Sequence, residues 1–277
     1  MRPSKSELGA ASISGVPSGR ARAELFTVLA LLTASCVPEG PATGDAGAPA
    51  ARAAPARPAL APAASLQRAG SAASSAPAAP APPITAVFED AFDRSELGPD
   101  WNALSPKWRI NGGRLCARGA KNRGVWLRRA LPENAIIEFD AIAESEEGDL
   151  KAELWGDGRS GATAASYTNA TSYLAVLGGW KNTKHVLARL DEHGDDRLAL
   201  DVDPDSDDER ARAVEPGQPY RFRVERTDGR TLTWSVNETR FFELPDTDPL
   251  VGAGHEHLGF NDWDAPVCFD NVRVTPL

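Results

Sequence analysis

The sequence predicts an all-β domain over residues 84–277, built as a sandwich or a barrel of short strands. Three observations lead there. The first is strict alternation. In PYRFRVERT, Tyr220, Phe222 and Val224 alternate with Arg221, Arg223 and Glu225. In KAELW, Ala152 and Leu154 alternate with Lys151, Glu153 and Trp155, and HVLAR and VWLRR repeat the pattern. Successive side chains of a strand point to opposite faces, so this pattern describes ribbons with one face buried and one wet. The second is punctuation: NGG at 111–113, DG at 157 and 228, and Asn237-Glu238 separate the strand-like runs. The third is that no window of twelve residues carries a helical apolar stripe.

The segments before this domain are of a different kind. Residues 1–36 hold Lys5, Arg20 and Arg22, then the apolar run LFTVLALLTA, then Ser35 and Cys36. A basic region, a short apolar core and small residues make an export signal, and ten apolar residues are too few to span a bilayer. TASC resembles the lipobox of bacterial lipoproteins, which implies Cys36 as the lipidated new N-terminus. Val37 after it is similar to lipoproteins sorted to the outer membrane or cell surface. The alternative is a plain cleaved signal with an incidental cysteine, giving a periplasmic or secreted protein. Residues 37–83 are nearly all Ala, Pro, Gly and Ser; with almost nothing to bury they are expected to form a disordered, semi-rigid tether. The domain itself carries 23 basic and 35 acidic residues, a net charge of −12. Nucleic acid and anionic lipid both demand a positive surface, so neither is an expected partner, and membrane attachment would run through the lipid alone. A monomer is expected.

Within the domain, VFEDAFDRSELGPDW, WRINGGRL, TLTWSVNETRFFEL and HLGFNDWDAPVCFDNVRV occur in that order. In these stretches the chain resembles the concanavalin A-like lectin/glucanase superfamily, nearest the branch of laminin G-like and 3-keto-disaccharide hydrolase-type domains. The resemblance implies a jelly-roll β-sandwich of two antiparallel sheets, an architecture that hosts lectins, hydrolases and adhesion modules alike. It also implies neighbouring N- and C-terminal strands, and with them a Cys116–Cys268 disulfide in an exported chain. Two separate buried thiols are the alternative.

EFDAIAE, residues 138–144, raises the question of catalysis. Glu138 and Asp140 match the first two carboxylates of the catalytic strand in laminarinase and lichenase members, but Glu144 comes four residues after Asp140. At about 3.3 Å per residue, Glu138 and Glu144 lie roughly 20 Å apart, beyond the roughly 5–9.5 Å that glycosidases use. The strand therefore reads as a solvated face, with Ile137, Phe139 and Ala141 in the core. A hydrolase would instead pair Glu138 or Asp140 with Glu153 across adjacent strands, about 4.8 Å apart. Carboxylates, cations and aromatic planes on one face build a saccharide site, and the expected set is Glu138, Asp140, Glu153, Trp155, His185 and Arg189. Tyr167, Tyr173 and Trp180 join it from the Ser/Thr/Asn-rich stretch 159–182.

For metals, DVDPDSDDE (201–209) has alternating aspartates, but Arg212 stands where a calcium loop needs a bidentate Glu, so it reads as an acidic surface loop. The resemblance implies a structural Ca2+ at Asp270, with carbonyl donors from Glu89 and Gly113. His255 and His257 are two potential ligands without a recognisable third. No GxSxG or phosphate-loop pattern is present. The expectation is a surface-anchored lipoprotein displaying a non-catalytic carbohydrate-binding jelly roll; the alternatives are a glycan hydrolase and an envelope protein-interaction module.

Overall fold

A computed structural model gives the structure and describes residues 81–277. Residues 1–80, which include the expected export segment, Cys36 and most of the expected tether, lie outside the described residues. Fifteen strands follow in order. The first seven are β1 (Phe88–Asp90), β2 (Trp101–Ala103), β3 (Arg109–Asn111), β4 (Arg114–Ala117), β5 (Val125–Leu127), β6 (Ala135–Ala143) and β7 (Leu150–Gly156). Then come β8 (Tyr173–Gly178), β9 (Lys184–Arg189), β10 (Leu198–Asp201), β11 (Pro219–Arg226), β12 (Thr231–Val236), β13 (Thr239–Pro245), β14 (His257–Asn261) and β15 (Val267–Pro276). One sheet runs β13-β12-β11-β6-β15-β4-β3, with β1 also on β15; the other runs β10-β9-β8-β7-β14-β5-β2. All pairings are antiparallel, and the result is a two-layer sandwich rather than a barrel.

The period-two pattern explains the layers. On β6, Ile137, Phe139 and Ala141 are fully buried, while Glu138 and Asp140 face outward. Phe139 stacks on its cross-strand partner Phe222 at 4.8 Å and meets Phe260 of the opposite sheet edge-on at 4.9 Å. Phe260 in turn stacks on Phe269 at 4.2 Å, so aromatic rings from both sheets interlock in the centre. The core begins with Ile84, whose side chain is buried and whose N–H donates to the Ala130 carbonyl.

The turn signals sit between strands as read. Gly112 and Gly113 join β3 to β4 with φ of 57° and 76°, and Asn237-Glu238 join β12 to β13 with φ of 49° and 68°. Such two-residue turns need left-handed backbone at both positions. DG at 157 is different: it opens a long loop rather than a hairpin. Cys116 and Cys268 are directly opposed on β4 and β15 and form the expected disulfide, on the outer face beside Ile142.

Candidate functional site

The two faces of the second sheet differ in what covers them. The inner face packs on the core. The outer face of β7, β8 and β9 presents Lys151, Glu153, Leu174, Val176, Val186 and Ala188, and these too are buried. The cover is the loop 157–172. Trp126 of β5 lies flat where Gly156 and Gly259 leave room, since an added Cβ would sit 2.5 Å and 2.7 Å from its ring. Its indole N–H donates to the Ser160 carbonyl at 3.0 Å and ties the loop down. Tyr167 reaches under the loop and donates its hydroxyl to Glu153 at 2.8 Å. Ser172 and Asn261 donate to the same carboxylate at 2.8 Å and 2.6 Å. Burial pushes the Glu153 carboxyl up to about 7, against these hydrogen bonds and the nearby Lys151 charge.

The cover stops at one end of this sheet, and there a pocket of about 300 Å³ opens. Its base is Lys151, which is 1% exposed and contacts Glu192 at 2.7 Å, Asn122 Oδ1 at 2.9 Å and Asp149 at 3.8 Å. Burial opposes the lysine's charge, but the two carboxylates outweigh it and hold its pKa above the ordinary range. Asp149 moves the same way because burial outweighs the pull of Lys151.

Two tryptophans line the mouth, Trp180 half-buried and Trp263 36% exposed. Each is fixed by backbone. The Trp263 N–H donates to Asp149 at 2.8 Å, and its carbonyl accepts from Lys121. Trp180 rides the tight turn Gly179–Asn182 between β8 and β9, where Trp180, Lys181 and Asn182 all have positive φ (52°, 59° and 63°). Asn182 holds that turn through both the N–H and the carbonyl of Val214. Three successive non-glycine residues in left-handed backbone cost about 1–2 kcal/mol each. Strain held in place this way concentrates at functional positions.

The structure scatters most of the residues read as one site. Glu138 and Asp140 belong to the first sheet, on the far side of the sandwich from Glu153, because consecutive β6 and β7 enter different sheets. The proposed cross-strand pair with Glu153 is therefore corrected: Glu138 meets Arg223 at 3.3 Å, and Asp140 meets Arg221 at 3.3 Å and Asn271 at 2.7 Å. Trp155 does not share a face with Lys151 and Glu153. A bulge at positive φ (54°) turns it into the core beneath the Arg226 guanidinium, 4.0 Å from its ring.

Tyr173, His185 and Arg189 also face inward. Tyr173 donates to Asp246 at 2.6 Å, and Arg189 donates to the same carboxylate at 2.9 Å. His185 accepts from the Gly178 N–H at 3.0 Å and donates to the Arg212 carbonyl; burial lowers its pKa, so it sits neutral. Tyr167 plugs the sheet rather than lining an opening. Of the nine expected ligand-binding residues, only Trp180 lines the pocket. Trp263 was missed, although a tryptophan amid FNDWDAP, among acids and a proline, signals an exposed ring.

Among the described residues, no three His, Cys, Asp or Glu side chains converge to hold a metal. His255 and His257 are each held at Nδ1 by a backbone carbonyl, of Thr171 and Leu127 respectively. Asp270 differs from these. Burial raises its pKa, with small additions from Asp140 and Asp93, against the Asn271 N–H that donates to it and the Arg114 charge.

The first and last strands, β1 and β15, are hydrogen-bonded neighbours, and two antiparallel sheets stack face to face. The domain is a two-layer antiparallel β-sandwich. No family model matches the chain, and no curated protein matches it. Solved structures similar to this sandwich include a sialidase at 16% identity and TM-score 0.47, covering 70% of this chain and 19% of that one. The Emp47p carbohydrate recognition domain is similar at 12% identity and TM-score 0.48, covering 69% and 94%. The laminarinase from Rhodothermus marinus is similar at 15% and 0.44, covering 68% and 96%. The chain thus spans about a fifth of the sialidase's length.

Proposed function

We propose that this chain is an exported lipoprotein, anchored through Cys36, that holds a non-catalytic saccharide-binding sandwich off the membrane on the 37–83 tether. The observation that carries the saccharide reading is the pocket itself. Two partly exposed indoles at its mouth offer planes for sugar rings, and a buried lysine–carboxylate base offers fixed hydrogen-bonding groups. Apolar faces with a few convergent polar groups are how small-ligand sites are built. The disulfide supports an oxidising compartment. The hydrolase reading loses its acid/base pair, since Glu138 and Asp140 sit on the opposite sheet from Glu153.

A glycan array probed with the full chain tests the reading. Binding to a defined sugar class, lost in Trp180→Ala while the circular dichroism spectrum is kept, is the expected result. A clean negative from the folded protein overturns it.

The reading includes a structural Ca2+ at Asp270, with the carbonyls of Glu89 and Gly113, that would fasten β1 to β15. Saturating Ca2+ is expected to raise Tm by about 5 °C over chelator. Asp270→Asn is expected to remove that difference. Equal Tm values with and without calcium would contradict it.

A further inference from the structure

We propose that the pocket selects saccharides bearing a protonated amine, glucosamine-type units, over neutral sugars and over uronic acids. This rests on the saccharide reading above and adds the charge class of the ligand. The lining holds four carboxylates, Glu147, Asp149, Glu192 and Asp264, against the ammonium groups of Lys151 and Lys181. Lys151 is not available to an anion: it is buried and already held by Glu192, Asn122 and Asp149. The other basic side chains of the lining, Lys181 and His193, are exposed and stand against four carboxylates.

Glu192 is 5% exposed and takes Lys151 through Oε1; among the described residues no donor is placed on its Oε2. A carboxylate that lines a pocket with one oxygen turned away from its lysine partner is well suited to accept from an ammonium. The aromatic walls favour the same charge. Each indole already holds a cation of this chain over its ring, Arg197 on Trp180 at 5.0 Å and Lys121 on Trp263 at 4.5 Å. Indole faces attract cations, so a ligand ammonium would compete there with these side chains. The domain's net charge of −12 adds long-range steering of cations toward it.

The test is titration calorimetry of the full chain, at mildly acidic pH, with four probes. They are a glucosamine oligomer, its N-acetylated counterpart, a neutral glucan oligomer and a polyuronate oligomer of equal length. The glucosamine oligomer is expected to bind roughly tenfold tighter than the N-acetylated one, the scale of a partly desolvated cation–π contact. The gap is expected to shrink in high salt and in Glu192→Gln. Because Glu192 supports Lys151 and its variant is open to misfolding, exposed Glu147→Gln serves as a second variant and is expected to narrow the gap without changing Tm. Equal binding of neutral and amino sugars, or tighter binding of the polyuronate, overturns the inference and leaves the saccharide reading standing. Binding of none of the probes by the folded chain overturns the inference and counts against that reading as well.

Discussion

Glu153→Gln is expected to flatten the pH dependence of stability between about pH 5 and pH 8, making the variant more stable than the parent at the alkaline end. The folded carboxyl sits near 7 against an ordinary value of 4.5, because burial disfavours its charge. Between those values the folded state binds more proton than the unfolded chain, so stability falls as pH rises. The group's contribution is complete below about 4.5 and gone above about 7. A shift of that size corresponds to on the order of 3 kcal/mol.

The carboxamide suits the site at every pH. Its nitrogen would donate to the Tyr167 and Ser172 hydroxyls, and its oxygen would keep the Asn261 hydrogen bond. Asp262, pushed up to about 6 chiefly by burial, contributes with the same sign. Asp90, Asp157 and Asp246 oppose it: each lies below the ordinary range because hydrogen bonds outweigh burial, so they weaken the fold on acidification. The difference between parent and variant therefore isolates Glu153. Parallel curves from chemical denaturation across this range would show that the carboxyl is ionised and satisfied.

Removing the disulfide is the second large effect. Cys116 and Cys268 are 152 residues apart in sequence, so the bond closes nearly the whole domain into one loop. Chain-entropy arguments give about 4–5 kcal/mol for loops of this size, equivalent to roughly 10–20 °C in Tm. Cys116→Ala with Cys268→Ala is expected to lose that much in a thermal scan. Ligand binding at the pocket is expected to survive below the lowered Tm, because the bond lies on the outer face of the other sheet. An unchanged Tm would mean that the paired strands need no staple.

Much of the fold was legible because it is written locally. Alternation in PYRFRVERT placed Phe222 and Val224 inside, and the NGG and Asn-Glu turns fell where hairpins close. The site was less legible, for three physical reasons. Sheet membership is not local: β6 and β7 follow one another yet enter different layers, which separated Glu138 and Asp140 from Glu153. One bulge shifts alternation by one residue, and the positive φ at Trp155 did so, sending that ring inward. The third reason is the loop 157–172. It covers the outer face of β8, so the run YLAVLG is buried on both sides and carries no alternation. Tyr167 belongs to that cover, leaving Trp180 and Trp263 at its edge.

Ligand is expected to bind at that edge, between Trp180 and Trp263. The chain's seven tryptophans make the claim measurable, since each indole N–H gives its own NMR signal. Titration with a glycan taken from the array is predicted to move the signals of Trp180 and Trp263 and to leave those of Trp126 and Trp155 in place. Movement of Trp126, which lies beneath the covering loop, with Trp180 and Trp263 unchanged, would contradict it.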